Sequence, residues 1–250
     1  MSRWIRTLFL AFCLAPVSVW AAAAKAEPVS LLGVSLADGK GGSTGVPMQV
    51  VVLLTLLTLL PAAFMSVTPF LRITIVLHFL RQALGTQTTP SNQALLGLAL
   101  FLTLVVLSPV TAEINEKAWT PLQQGKMTQA EAIAEGGKPL KAFLTRFARE
   151  KDVRLMVEIT RSATPRTPAD LDWKILAPAY MLSELRTGFQ IGAVLFLPFL
   201  VIDIVVASVT LSIGMVQLPP VMVSAPFKIL LFVLVDGWNL LVGSLIKSFY

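Results

Sequence analysis

Asp203 and Asp236 are the residues of this chain with the clearest capacity for chemistry. Each lies in an apolar stretch near the C-terminus, residues 191–216 and 221–246; Asp203 is the only charge in its stretch, and Asp236 shares its own with Lys228 alone. Two buried carboxylates could share a proton as in an aspartic protease, or pass protons along a relay. They could equally be met by cations. Asp203 sits in the middle of one stretch and Lys228 near the start of the other, and an ion pair between them, within or between subunits, would offset the desolvation cost of both. Pairing is the preferred reading. Glu184, just outside the apolar zone, has Arg149, Lys151, Arg154 and Arg186 available and is read in the same way. Under pairing, Asp203→Ala abolishes assembly; under a relay it leaves assembly intact and stops transport.

Nothing else in the chain offers catalytic material. Gly41-Gly42-Ser43-Thr44-Gly45 fits the letters of a nucleophile elbow, but that motif needs a strand–turn–helix setting and a histidine partner. Here it lies in a glycine-rich linker, and the single histidine, His78, falls in an apolar segment. The sole cysteine, Cys13, lies in the first residues, within what reads as a secretory signal. No metal-ligand spacing, phosphate loop or dinucleotide fingerprint is present, so neither cofactor nor enzymatic activity is expected.

The composition belongs to a membrane protein. Of 250 residues 55% are hydrophobic and only 14% charged, and the apolar residues come in blocks. A net charge of +6 raises nucleic acid as a partner. The basic residues, however, are scattered through a central polar region with no stripe and no interleaved aromatics, which sets nucleic acid aside.

The elements that must position the acids follow in order. Residues 1–26 read as a cleaved signal peptide: Arg3 and Arg6, an apolar core, then Ala24-Lys25-Ala26 before Glu27. Residues 27–47 form a glycine-rich lead-in, and residues 48–110 a first hydrophobic hairpin kinked at Pro61 and Pro69. Its second helix is expected to end at Ser108-Pro109. Residues 111–187 form a polar helical region. Within it Thr128 and Glu131 make a capping box, Gly136-Gly137 is a plausible stop, and Pro139 opens a helix with Leu140, Phe143, Leu144 and Phe147 on its core face. Pro178 is expected to open the last long helix and Pro198 to bend it.

Residues 188–250 form the second hydrophobic hairpin, turning at Gln217-Leu218-Pro219-Pro220. About 20 apolar residues suffice for a helix to cross a bilayer, and each arm has them. A stripe of Asp203, Ala207, Thr210 and Gly214 on one arm, and of Asp236, Asn239 and Gly243 on the other, fits close packing against protein. The fold class is therefore an all-α membrane protein: long kinked helices in two hairpins with a small helical periplasmic domain between them. A cleaved signal leaves residues 111–187 outside although they hold most of the Lys and Arg, against the positive-inside tendency, which long loops escape.

Several runs carry a resemblance. They are Phe70-Leu71-Arg72-Ile73; Leu80-Arg81-Gln82-Ala83-Leu84-Gly85-Thr86; Pro90-Ser91-Asn92-Gln93; the stretch from Pro178 through Tyr180, Glu184 and Gly188 to Gly192; Phe199-Leu200-Val201-Ile202-Asp203; and Phe232-Val233-Leu234-Val235-Asp236-Gly237-Trp238. From about Met48 onwards the chain resembles the FliP family of flagellar biosynthetic proteins. The resemblance implies a core subunit of the flagellar type III export gate in the bacterial inner membrane. Several copies would form a helical ring with the Q and R subunits, joined by the B and A components, and unfolded flagellar subunits would pass through. It also implies a gasket at the hairpin turn, here Met215, Val216, Gln217 and Leu218, with one methionine where relatives carry several. The injectisome counterpart, and an ion-coupled secondary transporter using Asp203 and Asp236, are the competing readings.

Overall fold

The computed structural model describes residues 45–86, 88–162, 171–215 and 219–250. The expected signal peptide, most of the expected glycine-rich lead-in and three of the four expected gasket residues, Val216, Gln217 and Leu218, lie outside the described residues. The chain divides into two compact units, Met1–Leu57 and Thr58–Tyr250. In the first, the described residues are the leading part of helix α1 (Gly45–Val67), where the Thr55 hydroxyl donates to the Val51 carbonyl one turn back. Pro61 sits inside α1 without ending it, and the helix stops at Thr68-Pro69.

The second unit is built on α2 (Phe70–Ala83), α3 (Asn92–Ile114) and the long α7 (Trp173–Ser212). Helices α2 and α7 run parallel, with Ile75 against Gly188 and Phe79 against Gly192. The two glycines set the closeness of the pair: a Cβ at Gly192 would lie 2.6 Å from the Phe79 ring, and one at Gly188 3.2 Å from Ile75. On its other side α2 turns Ile73, Leu77 and Leu80 into a core shared with Ala99, Leu102 and Val106 of α3. Ser91 caps α3 by accepting from the Ala94 amide at 3.3 Å.

The expectation that α3 ends at Ser108-Pro109 is overturned. The helix runs on to Ile114 because the Val105 carbonyl, which loses its usual donor to proline, is taken by the Ser108 hydroxyl at 2.8 Å. A π-helical turn (Asn115–Trp119) and the short α4 (Thr120–Gln123) prolong it.

Helix α5 (Gln129–Phe147) opens on the expected capping box: the Thr128 hydroxyl accepts from the Glu131 amide and the Glu131 carboxylate from the Thr128 amide at 2.8 Å. These bonds from Thr128 hold the Glu131 carboxyl below its ordinary range. Gly136-Gly137 does not stop the helix, and Pro139 does not open one, since α5 continues through all three. The glycines are points of close approach instead. A Cβ at Gly136 would meet Ala118 at 3.3 Å, and one at Gly137 would meet Trp173 at 3.7 Å. Leu144 forms a second core with Leu171, Ile175, Leu176 and Tyr180, flanked by Leu140, Phe143 and Phe147 and by Val153, Met156 and Val157 of α6 (Glu150–Thr160). The burial of Ile175 and Leu176 draws the start of α7 back to Trp173, so Pro178 lies inside that helix and not at its head.

After α7 the chain returns as α8 (Pro220–Leu234) and α9 (Gly237–Lys247), which meet at a bend of 67°. Asp236 at the bend is left-handed, with φ 51°. A Cβ at Gly237 would lie 2.3 Å from the Phe232 ring, so this tight corner requires glycine. The second arm of the hairpin is therefore broken. Three helical stretches, Val50–Val67, Asn92–Gln123 and Trp173–Ser212, are long and apolar enough to cross a membrane, and the bent pair counts as a fourth if taken as one span. The described elements are all helices, and the chain is an all-α membrane protein.

Candidate functional site

The hairpin of α7 and α8 brings together the charges that the sequence places on separate arms. Lys228 Nζ donates to Asp203 Oδ2 at 2.6 Å, and the Ser224 hydroxyl donates to Asp203 Oδ1 at 2.5 Å. The Lys228 side chain is 1% exposed and that of Asp203 20%, so the lysine is the more committed partner. A cation taken out of water is tolerable only when such an acid and further hydrogen bonds meet it. Asp203→Ala would strand the ammonium, at a cost of about 3–5 kcal/mol. The expected outcome is loss of protein recovered from membranes, read by immunoblot after detergent extraction. Full recovery with transport lost would assign Asp203 to proton handling instead.

Glu184 is placed differently from the expectation. Its partner is Arg72, which grips it with two parallel bonds, Nε to Oε2 at 2.8 Å and Nη2 to Oε1 at 2.5 Å. Both side chains are buried, at 4% and 0% exposure. Arg72 also donates from Nη1 to the Ser248 carbonyl at 3.3 Å and hydroxyl at 3.1 Å, and its guanidinium lies 4.0 Å from the centre of the Phe249 ring. One arginine thus ties α2, α7 and the residues after α9 together.

Arg149 is not the partner of Glu184. It precedes α6, and its amide donates to the Ser183 hydroxyl at 2.9 Å, with the Asp152 carboxylate 2.6 Å from the same hydroxyl. Ser183 and Glu184 are neighbours on α7, and side chains one residue apart diverge by about 100°. The face turned to Arg149 is that of Ser183, and Glu184 points elsewhere.

The two expected stripes of small and polar residues are also revised. Gly214 lies beyond the end of α7, in a left-handed turn (φ 81°) whose amide bonds the Leu211 carbonyl. Asp236 stands at the break before α9, where Asn239 donates to its Oδ2 at 3.1 Å. A Cβ at Gly243 would meet nothing within 4 Å, so this glycine makes no close approach within the chain. Met215, which the resemblance leads one to expect in a gasket and which is the one such residue among those described, is 41% exposed. Among the described residues no group of three or more His, Cys, Asp or Glu side chains comes together to hold a metal.

The contacts that sequence reasoning missed are Arg72 as the Glu184 partner, Ser224 on Asp203, and the docking of Ser248 and Phe249. Arg72 and Glu184 are 112 residues apart, and no spacing rule links them. Ser224 carried a local signal, one helical turn before Lys228 on the same face.

The FliP family model matches residues 53–245. The chain belongs to the FliP family. The match starts within α1 and ends within α9, so it takes in both buried ion pairs and the hairpin turn. Among individual proteins, the flagellar biosynthetic protein FliP of Pectobacterium carotovorum subsp. carotovorum is 49% identical over 210 residues, covering 84% of this chain and 81% of that one. Its Bacillus subtilis (strain 168) namesake is 48% identical over 202 residues, covering 81% and 91%. That of Cereibacter sphaeroides is 45% identical over 218 residues, covering 87% and 72%.

Proposed function

We propose that this chain is a core, channel-forming subunit of the flagellar type III protein export gate, needed for export of flagellar subunits and for assembly of the flagellum. The single observation that carries the reading is the FliP family match across nearly the whole helical body. The related proteins named above are all flagellar, which disfavours the injectisome counterpart. The transporter reading loses ground because the Asp203 carboxylate is already engaged by Lys228 and Ser224.

Several copies stand side by side in the inner membrane at the flagellar basal body, in a helical ring completed by the Q and R subunits and joined by the B and A components. Unfolded flagellar subunits cross through it. The protein does no covalent chemistry; its work is to enclose a passage and keep it shut between cargoes. Met215, with Val216, Gln217 and Leu218, supplies an adaptable apolar closure at the hairpin turn, a use suited to the unbranched methionine side chain.

Deleting the gene should leave cells without filaments, and the intact gene should restore swimming. In the assembled gate, Met215→Ala should raise the resting ion leak, read as proton entry into energised cells. Filaments on deletion cells would end the proposal, and an unchanged leak would remove the closure role alone.

A further inference from the structure

Helix α5 carries a groove that neither the buried ion pairs nor the hairpin turn uses. It holds about 890 Å³ and runs along one face of α5 against Trp173 at the head of α7. Its apolar side chains are Ile133, Ala134, Ala142 and Trp173. Its charged ones are Lys138, Lys141 and Arg146, and among the described residues no acid lines it. Ile133 and Trp173 lie open to the surroundings, at 76% and 39% exposure. Across Ile133 is a second apolar groove of about 390 Å³, between α5 and the π-helical turn, lined by Ile114, Ala118, Trp119 and Leu122.

Lys138 is paired with Glu135 one turn back, on the exposed surface of the helix. Exposed pairs of this kind are worth little, so a stronger anion can take the place of Glu135. Arg146 gives one of its five N–H donors to the Tyr250 carbonyl at 3.1 Å. Three cations beside apolar side chains call for a ligand that is anionic at one end and oily at the other. The grooves also stand where such molecules are found. The apolar run of α3 ends at Ala112, and Glu113, Glu116 and Lys117 follow it. Of the three tryptophans among the described residues, two, Trp119 and Trp173, line these grooves. Tryptophan gathers at the boundary between bilayer and water.

We propose that this face of α5 binds an anionic phospholipid of the surrounding bilayer. The headgroup phosphate is met by Lys138, Lys141 and Arg146, and the acyl chains lie along Trp173 and across Ile133. Two apolar grooves that meet at one side chain suit the two tails of a phospholipid, which an acidic peptide lacks. The basic side chains add the electrostatic attraction that draws a protein surface to anionic lipid. A lipid held here anchors the polar region between the two hairpins to the membrane surface.

The test uses the full chain, purified with its flagellar partners and placed in phosphatidylcholine vesicles. These carry increasing amounts of phosphatidylglycerol with brominated acyl chains, which quench tryptophan on contact. The Trp173 signal is the difference between the parent and its Trp173→Phe variant. It should be quenched at low phosphatidylglycerol content. Lys138→Gln with Lys141→Gln should need at least about tenfold more of the lipid for the same quenching. Ala142→Phe, which narrows the groove without changing its charge, should weaken the quenching in the same way. Equal quenching by brominated phosphatidylcholine alone would mean ordinary contact with the bilayer and overturn the site. A Trp173 that neither lipid quenches would mean that protein covers the groove, an acidic segment or another chain, and would overturn it as well. Both outcomes are read with the cations intact, so neither depends on how the lysine variants fold. Lysine variants that titrate like the parent would also reject the site. Export of flagellar subunits does not enter the readout, so failure of the export role and failure of the lipid site are separate results.

Discussion

Arg72→Leu is expected to leave almost no stable protein. The substitution strands Glu184, a fully buried carboxylate, without its two hydrogen bonds. Removing one partner of a buried pair costs about 3–5 kcal/mol. It also frees the Ser248 contacts and the stack on Phe249, and a desolvated cation–π contact adds about 2 kcal/mol. The sum rivals the whole folding stability of an ordinary domain, about 5–15 kcal/mol. Arg72→Lys keeps the charge but not the fork, and should be intermediate. Arg72→Leu combined with Glu184→Met removes both charges and should recover much of the loss, because apolar replacement of a buried pair is often neutral. Protease resistance of the detergent-extracted protein reads all three. A single Arg72→Leu variant as resistant as the parent would show that the pair does not hold the helices together.

Gly192→Val is the second large effect. The α2–α7 contact places the Phe79 ring where a side chain at this position would begin, 2.6 Å from an added Cβ, and Phe79 is itself wedged edge-on against Phe189, with ring centres 5.4 Å apart. The valine must push the helices apart, and overpacking of this kind costs about 1–3 kcal/mol. Because α2 carries Arg72, its placement against Glu184 of α7 should fail with it. The expected result is loss of swimming on soft agar, with Phe79→Ala in the same chain restoring it by opening room for the valine. Rescue is the informative arm: a double variant no better than Gly192→Val would mean that the glycine serves something other than this contact.

Much of this was legible in the sequence, and for identifiable reasons. Apolar blocks, one capping box and two charges on facing arms are local or nearly local signals, and they led to the helical membrane fold, to Thr128–Glu131, and to Asp203 beside Lys228. Gly136-Gly137 and Pro139 misled because glycine ends a helix in one setting and lets helices touch in another. Only the presence of Ala118 and Trp173 across the gap tells which. The Ser108-Pro109 pair misled for a related reason: the hydroxyl that takes up the freed carbonyl sits in the very dipeptide that looks like a stop. The break at Asp236 hides in an apolar run whose periodicity continues through it, and only the crowding of Gly237 by Phe232 marks the corner.

The partners of Arg72 lie 112 and 176 residues downstream of it. During synthesis, then, its guanidinium leaves the ribosome long before either Glu184 or Ser248 has been made. The early hairpin therefore carries an uncompensated cation until α7 brings Glu184, and lacks its last contacts until Ser248 follows α9. Biogenesis is thereby ordered: the first helices to emerge are among the last to settle, and nascent chains stalled before Glu184 are the natural substrates for membrane quality control.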